Sequence, residues 1–313
     1  MSPVSTPTPF EVSTATGCLG RGSRRPVLES TCCTRLRGVA GGRSVRRALD
    51  SPAVEGRSHR LINKVVATFD EAVADMQDGA TIHFGGFASP FNTPSYLVAA
   101  VARRGVTGLT AISTSMGRGV KHRDSQSPWL PPELRPLDFF DVALMAELGQ
   151  LKKGITTFAV GARHDLIYPF EERLTEGSVE VEVLGQGSLA ERIRCARAGI
   201  AAFYTPVGPG TDVANGKEVR DFDGVPHVLE TALHADFALI RAWKADRYGN
   251  LIFRGPRSFN ETMAGAARIT IAEVDEVVPL GDLKPEQIHT AGIYVQRVVV
   301  RPAAPVTSWE VPQ

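Results

Sequence analysis

From position 64 onward the apolar positions fall in short blocks whose spacing switches between strand-like and helix-like. The most informative stretch is residues 78–115, DGATIHFGGFASPFNTPSYLVAAVARRGVTGLTAISTS. Thr81–Phe84 is a short apolar run that stops at Gly85 and Gly86, the pattern of a buried strand ending in a turn that a side chain would obstruct. A helix is predicted next, with Thr93 as its cap, Pro94 in its first turn, Tyr96, Leu97, Ala100 and Val101 on its apolar face, and Gly105 as its stop. Leu109–Ile112 then reads as a second strand, parallel to the first because such crossovers are right-handed.

The same alternation continues. A short helix is expected over 69–76, with Asp70 near its start and Gly79 after its end. The prolines at 128, 131, 132 and 136 exclude long regular elements from an arm over 119–140, whose Trp129, Phe139 and Phe140 need cover from the domain's own surface or from a second chain. A strand is expected over 155–160 and a short helix over 171–177. Val179, Val181 and Val183 alternate with Glu180 and Glu182, the mark of a strand with one wet face. Gly185, Gln186 and Gly187 turn the chain into a helix that ends at Gly199, with Ser188 and Glu191 at capping-box spacing. Residues 200–204 read as a strand, 228–233 as a helix and 237–242 as a strand, with a turn over 246–250 leading into 251–253. A small-residue helix over 259–267, a core strand over 269–272 and an extended segment over 293–300 complete the pattern. The fold class expected is α/β, an open, mainly parallel sheet with helices on both faces, forming one domain over 63–301 before a tail over 302–313.

Composition narrows the function. With 313 residues, 43% hydrophobic and 22% charged, the chain has material for a globular core, and a net charge of +1 without a polybasic patch argues against nucleic acid or a membrane as partner. No apolar run approaches a membrane span. The residues before 63 are rich in Arg, Ser, Thr, Pro and Gly, lack Lys, and read either as a disordered leader or as sequence upstream of the true start. The expected compartment is the cytoplasm. The alternative is the mitochondrial matrix, should the Arg-rich leader be a transit peptide, although Pro3, Pro7, Pro9 and Pro26 interrupt the amphipathic helix such peptides form. Cys18, Cys32 and Cys33 lie in that leader and show no zinc spacing, so no metal is implied. Cys195 stands on a helix without a CxxC partner and reads as a small buried residue rather than a nucleophile.

Candidate chemistry centres on glycine loops at strand ends. Gly85 and Gly86 face a helix N-terminus, an arrangement that offers amides to an anion or a polarised carbonyl, although Gly-Gly after a strand is also an ordinary tight turn. A second loop carries Gly208, Gly210 and Thr211, and the two loops can line one cleft. A dinucleotide site is disfavoured, because the remaining G-x-G-x-x-G spacing is missing and no acidic residue follows the second strand.

Five ordered blocks then carry a resemblance: Asp78-Gly79 with Gly85-Gly86-Phe87, LAERIRCARAGIAAFYTPVGPGT, GKEVRDFDG, HADFALIRAWKADRYGNLIFRG and EVVPLGDLKPEQIHTAGIYVQRVV. Over nearly all of 63–301 the chain resembles the alpha subunit of family I CoA-transferases, the group containing succinyl-CoA:3-oxoacid and 3-oxoadipate CoA-transferases. The resemblance implies CoA and acyl-CoA as substrates with no tightly bound cofactor, and a coenzyme-contacting loop of Gly85, Gly86, Phe87, Ala88, Ser89, Pro90 and Phe91. It implies a small 3-oxo or related carboxylic acid as acceptor, with His83, Thr114, Ser115, Gln186, Gly208, Gly210 and Thr211 as candidates for the substrate pocket. It also implies a beta-subunit partner, in a heterodimer or heterotetramer, that carries the nucleophilic glutamate. The motif Glu-x-Gly-x-x-Gly around that glutamate is missing here, and Glu147-Leu148-Gly149 runs on into Gln150-Leu151-Lys152, so no catalytic residue is expected in this chain.

Three departures bear on substrate. Phe91 stands where the family loop has its later glycine and Pro94 falls one residue late; Thr114-Ser115 replaces a pair of asparagines; and the proline-rich arm is longer than usual. His83 is either a satisfied core histidine or a side chain facing the acyl pocket. Two other functions remain open at this level: a CoA-thioester hydrolase of the same superfamily, and a sugar-phosphate or effector-binding sensor on the same architecture.

Overall fold

The computed structural model describes residues 62–87, 92–119, 139–161 and 166–303. The leader, loop residues Ala88, Ser89, Pro90 and Phe91, most of the arm with Trp129, and the tail beyond 303 lie outside the described residues. Thr68 caps a first turn of helix, α1 (Phe69–Ala72), its hydroxyl accepting from the Glu71 N–H. This helix is shorter than the expected 69–76, because the chain tightens at once into turns in which the Ala74 and Met76 amides bond three residues back. The central unit matches its pattern: β1 (Thr81–Phe84), α2 (Ser95–Arg104) and β2 (Leu109–Ile112), with β1 and β2 parallel and Gly105 closing α2 at φ +73°.

The following elements are α3 (Ala143–Glu147), β3 (Leu151–Thr156), α4 (Pro169–Thr175), β4 (Glu180–Val183), α5 (Gln186–Ala198) and β5 (Ala202–Thr205). After them come β6 (Val219–Phe222), β7 (Val225–Thr231), β8 (Ala235–Asp246), β9 (Leu251–Ile252), α6 (Asn260–Met263), β10 (Ala267–Val278) and β11 (Arg297–Val300). The main sheet runs β11-β10-β8-β1-β2-β3-β4, every pair parallel, with β9 antiparallel to β8. Its strands divide their side chains between two cores: Ile82, Phe84, Leu109, Leu239 and Ile271 pack with α2 and α3, while Ile112, Ile155, Ala238, Ile240 and Ala272 pack with α5 and α6. Helices therefore cover both faces, and the inner strands bury apolar side chains on each of them.

Several expectations need correction. Of the helix expected over 228–233, residues 228–231 belong to β7, which pairs antiparallel with β5 and β6 in a second, three-stranded sheet, and residues 232 and 233 follow it without helical structure. Asp223 (φ 51°) and Gly224 (φ 78°) form the two-residue turn between Phe222 and Val225, and this hairpin sets the register. The strand expected over 155–160 is β3, ending at Thr156; Lys153 lies inside it, its ammonium 2.9 Å from Glu182 on β4. The capping box does not form, since α5 starts earlier, at Gln186 with Gly185 in the cap position, and Glu191 instead pairs with Arg194. The helix over 259–267 shrinks to α6, because residues from Ala267 are drawn into the long pairing of β10 with β8. Val183 is 49% exposed, as β4 is the sheet edge. Phe139 and Phe140 are buried within the chain's own structure and need no second chain to cover them.

Candidate active site

A cavity of about 300 Å³ opens at the carboxyl ends of β1, β2 and β3. Phe84, Gly85, Gly86 and Phe87 line it from β1, Ser113, Thr114, Ser115, Gly117 and Arg118 from β2, and Phe158, Ala159, Val160 and Gly161 from β3. Thr93 and Val98 of the α2 segment, Phe139, Asp141 and Val142 before α3, and Tyr168 before α4 close its sides. The cavity borders β1, where strand order reverses between β8 and β2, and open α/β sheets bind ligands at such a switch point.

The glycine pair is required by contact as well as by backbone angle. A Cβ on Gly85 would lie 2.0 Å from Asn260 Oδ1 and 2.9 Å from the Leu239 carbonyl, and Gly86 sits at φ +104° with Thr93 Oγ1 2.6 Å from where its Cβ would be. The Gly85 N–H extends the ladder to Leu239 O at 2.8 Å, and Thr114 Oγ1 donates to Gly86 O at 3.4 Å. Among the described residues, nothing accepts from the Gly86 or Phe87 N–H. The Phe87 ring lies 6.5 Å from Phe158 and 6.4 Å from Phe259, forming an aromatic rim.

The N-terminus of α2 is not the open anion site that the sequence suggests. Thr93 does not cap it. Pro94 takes the cap position, and the buried carboxylate of Glu273, on β10, accepts from the Tyr96 N–H at 2.9 Å and the Leu97 N–H at 3.1 Å. Arg301 forms an ion pair with the same carboxylate and stacks over Tyr96 at 4.5 Å. Burial raises the Glu273 carboxyl above the usual carboxylate range, against the pull of Arg301 and the amides. A carboxylate of the chain itself thus already answers the helix dipole, and these two amides are not open to a ligand.

Among the described residues, Asp141 is the one carboxylate in the cavity wall, and it serves the fold. Its oxygens accept from the Arg118, Gly119 and Ala143 N–H groups at 2.8, 3.1 and 3.1 Å, while burial raises its carboxyl. Arg118 stands 6.0 Å from the Tyr168 ring and places a cation beside the cavity.

Of the residues singled out from the sequence, Gly85, Gly86, Phe87, Thr114 and Ser115 meet at this cavity. His83 points to the opposite face of the sheet, fully buried, with Nε2 3.1 Å from Leu233 O. Gln186, Gly208, Gly210 and Thr211 lie away from the cavity wall, Thr211 being occupied with Gly208 O and the Val213 N–H. Cys195 is buried, and burial together with Glu191 pushes its thiol up. Sequence reasoning missed Arg118, Asp141, Phe158, Tyr168 and Asn260. Gly117 and Gly119 are a usable sign of a crowded backbone there, since a Cβ on Gly117 would lie 2.4 Å from Asp141 Oδ1. Among the described residues no cluster of His, Cys, Asp and Glu fits a metal, and no helix is long and apolar enough to cross a membrane.

The family model for coenzyme A transferase matches residues 66–125 and 137–301. The alpha subunit of the 3-oxoadipate CoA-transferase of Pseudomonas putida is 42% identical over 249 residues, covering 79% of this chain and 98% of its own length. The alpha subunit of the succinyl-CoA:3-ketoacid coenzyme A transferase of Helicobacter pylori strain J99 is 39% identical over 238 residues, covering 76% and 92%. Among solved structures, glutaconate coenzyme A-transferase from Acidaminococcus fermentans shares the fold at a TM-score of 0.61 and 20% identity, over 76% of each chain. With its glycine loop, its cavity at the switch point and these matches over most of its length, the chain belongs to the coenzyme A transferase family.

Proposed function

We propose that the chain is the alpha subunit of a two-subunit CoA-transferase that moves CoA between an acyl-CoA and a 3-oxo or related short carboxylic acid, with the nucleophilic glutamate on the partner. The observation that carries this reading is a cavity with two loop amides open to a ligand, at Gly86 and Phe87, and no glutamate among the described residues of its wall. Asp141 is no substitute, because its oxygens are engaged by backbone amides. In the reaction, the partner's carboxylate oxygen attacks the thioester carbonyl and expels CoA thiolate, leaving a mixed anhydride. The thiolate then attacks the glutamyl carbonyl, releasing the first acid and leaving a glutamyl-CoA thioester. The acceptor carboxylate repeats these steps in reverse. This chain supplies donors to the developing oxyanion and an aromatic rim around the acyl portion. Ser113, Thr114 and Ser115 add polar groups from β2 in place of amide side chains. CoA enters as a substrate, and no resident cofactor takes part.

The test is reconstitution. The chain alone is expected to transfer no CoA from succinyl-CoA to acetoacetate, and activity is expected when the beta partner is added. Hydroxylamine or borohydride trapping during turnover should mark a glutamate on the partner. A trapped glutamyl thioester on this chain, or full activity without a partner, would overturn the reading.

A further inference from the structure

Asn260, the first residue of α6, is completely buried, and its side-chain amide bridges two segments distant in sequence. Oδ1 accepts from the Arg241 N–H at 3.0 Å, at the point where β8 passes Gly85, and Nδ2 donates to Asn92 O at 2.9 Å. Asn92 is where the loop returns from the cavity toward α2, and its own amide donates to Ser258 Oγ at 2.6 Å and to Pro256 O at 3.3 Å. The Asn260 amide also occupies the space a Gly85 side chain would need, 2.0 Å from that ideal Cβ. One side chain therefore packs against the outgoing end of the loop at Gly85, anchored there through β8, and bonds the returning end at Asn92. Between those ends stand the Gly86 and Phe87 amides, which have no acceptor among the described residues.

We infer that Asn260 is a positioning residue for the reaction, fixing the direction of the Gly86 and Phe87 N–H groups by clamping both ends of their loop; the link to turnover rests on the function proposed above. Hydrogen-bond stabilisation of an oxyanion depends steeply on donor placement, so a donor loop that drifts loses rate while the bulk of substrate binding persists. Two contacts to main chain from opposite sides distinguish this amide from a helix cap, and α6 takes no side-chain cap from it.

The test is Asn260→Asp in the chain paired with its beta partner, using succinyl-CoA and acetoacetate. Aspartate keeps the acceptor for the Arg241 N–H but sets an oxygen against Asn92 O. The expected result is a kcat, counted per folded pair, at least about tenfold lower with the KM for succinyl-CoA within about threefold, the pattern of an interaction made in the transition state alone. Hydrogen exchange supplies a readout independent of activity: peptides over 85–95 should exchange about tenfold faster, while β8 and β10 keep their protection. Asn260→Ala serves as the second variant should the aspartate unfold the chain, with the same expected pattern. An unchanged kcat, unchanged loop exchange, or a loss of protection spread evenly over the sheet would each overturn the inference. Should the wild-type pair turn over no acyl-CoA, the function proposed above fails, and the exchange experiment still decides whether the clamp exists.

Discussion

Acidification should unfold this protein partly through His83, and the structure sets the size of the effect. His83 lies on β1 two residues before Gly85, with no exposed surface, between Ile112 and Ala238 in the sheet. Its Nε2 faces the Leu233 carbonyl, which can only accept, so Nε2 carries the proton and Nδ1 is the bare nitrogen. Nδ1 is buried and without a partner, so a second proton there would create a buried N–H with no acceptor. Burial, with His234 nearby and against the Leu233 bond, lowers the ring's pKa to about 4 from 6.5. A folded-state value below the unfolded one means that the unfolded chain takes up the proton first as pH falls. The stabilisation is complete above about pH 6.5 and is lost progressively toward pH 4. Linkage over that interval gives a loss of about 2 kcal/mol between pH 7.5 and 5. The measurement is urea unfolding of the wild type and of His83→Gln, which retains a donor for Leu233 O but cannot titrate. The wild type should lose about 2 kcal/mol more than the variant over that pH range, since the remaining titrating groups are common to both. Equal losses in the two proteins would refute the buried neutral tautomer, and a wild type that loses less would reverse its sign.

Further outcomes follow from other contacts. Gly85→Ala drives a methyl against Asn260 Oδ1 and Leu239 O and should cost about 1–3 kcal/mol in urea unfolding, with acyl-CoA turnover falling further than stability alone accounts for. Glu273→Ala removes the acceptor of two α2 amides and leaves Arg301 without this buried partner, so calorimetry should register a loss of about 3–5 kcal/mol. Glu273→Gln keeps the shape and one acceptor and should lose clearly less; equal losses would mean that the charge contributes and the capping does not.

The strand, glycine turn, helix and strand of residues 81–112 are legible in the sequence because every signal is local: an apolar run, two glycines, a proline at the helix start and a glycine at its end. The open parallel sheet with helices on both faces is legible for the same reason, through apolar strands alternating with helical periods. Residues 228–233 mislead because Val228, Leu229, Ala232 and Leu233 fit a helical face as well as a strand. The deciding sign is Asp223-Gly224 just upstream, a hairpin turn between Phe222 and Val225. What no local pattern expresses is which distant polar group meets which backbone. Glu273 caps a helix 176 residues earlier in the chain, and Asn260 reaches 168 residues back to the returning loop. Each reads in sequence as an ordinary polar residue beside an apolar run. The tertiary fold assigns their partners, because β8 and β10 carry their neighbourhoods beside β1 and leave those amides and carbonyls no water to bond.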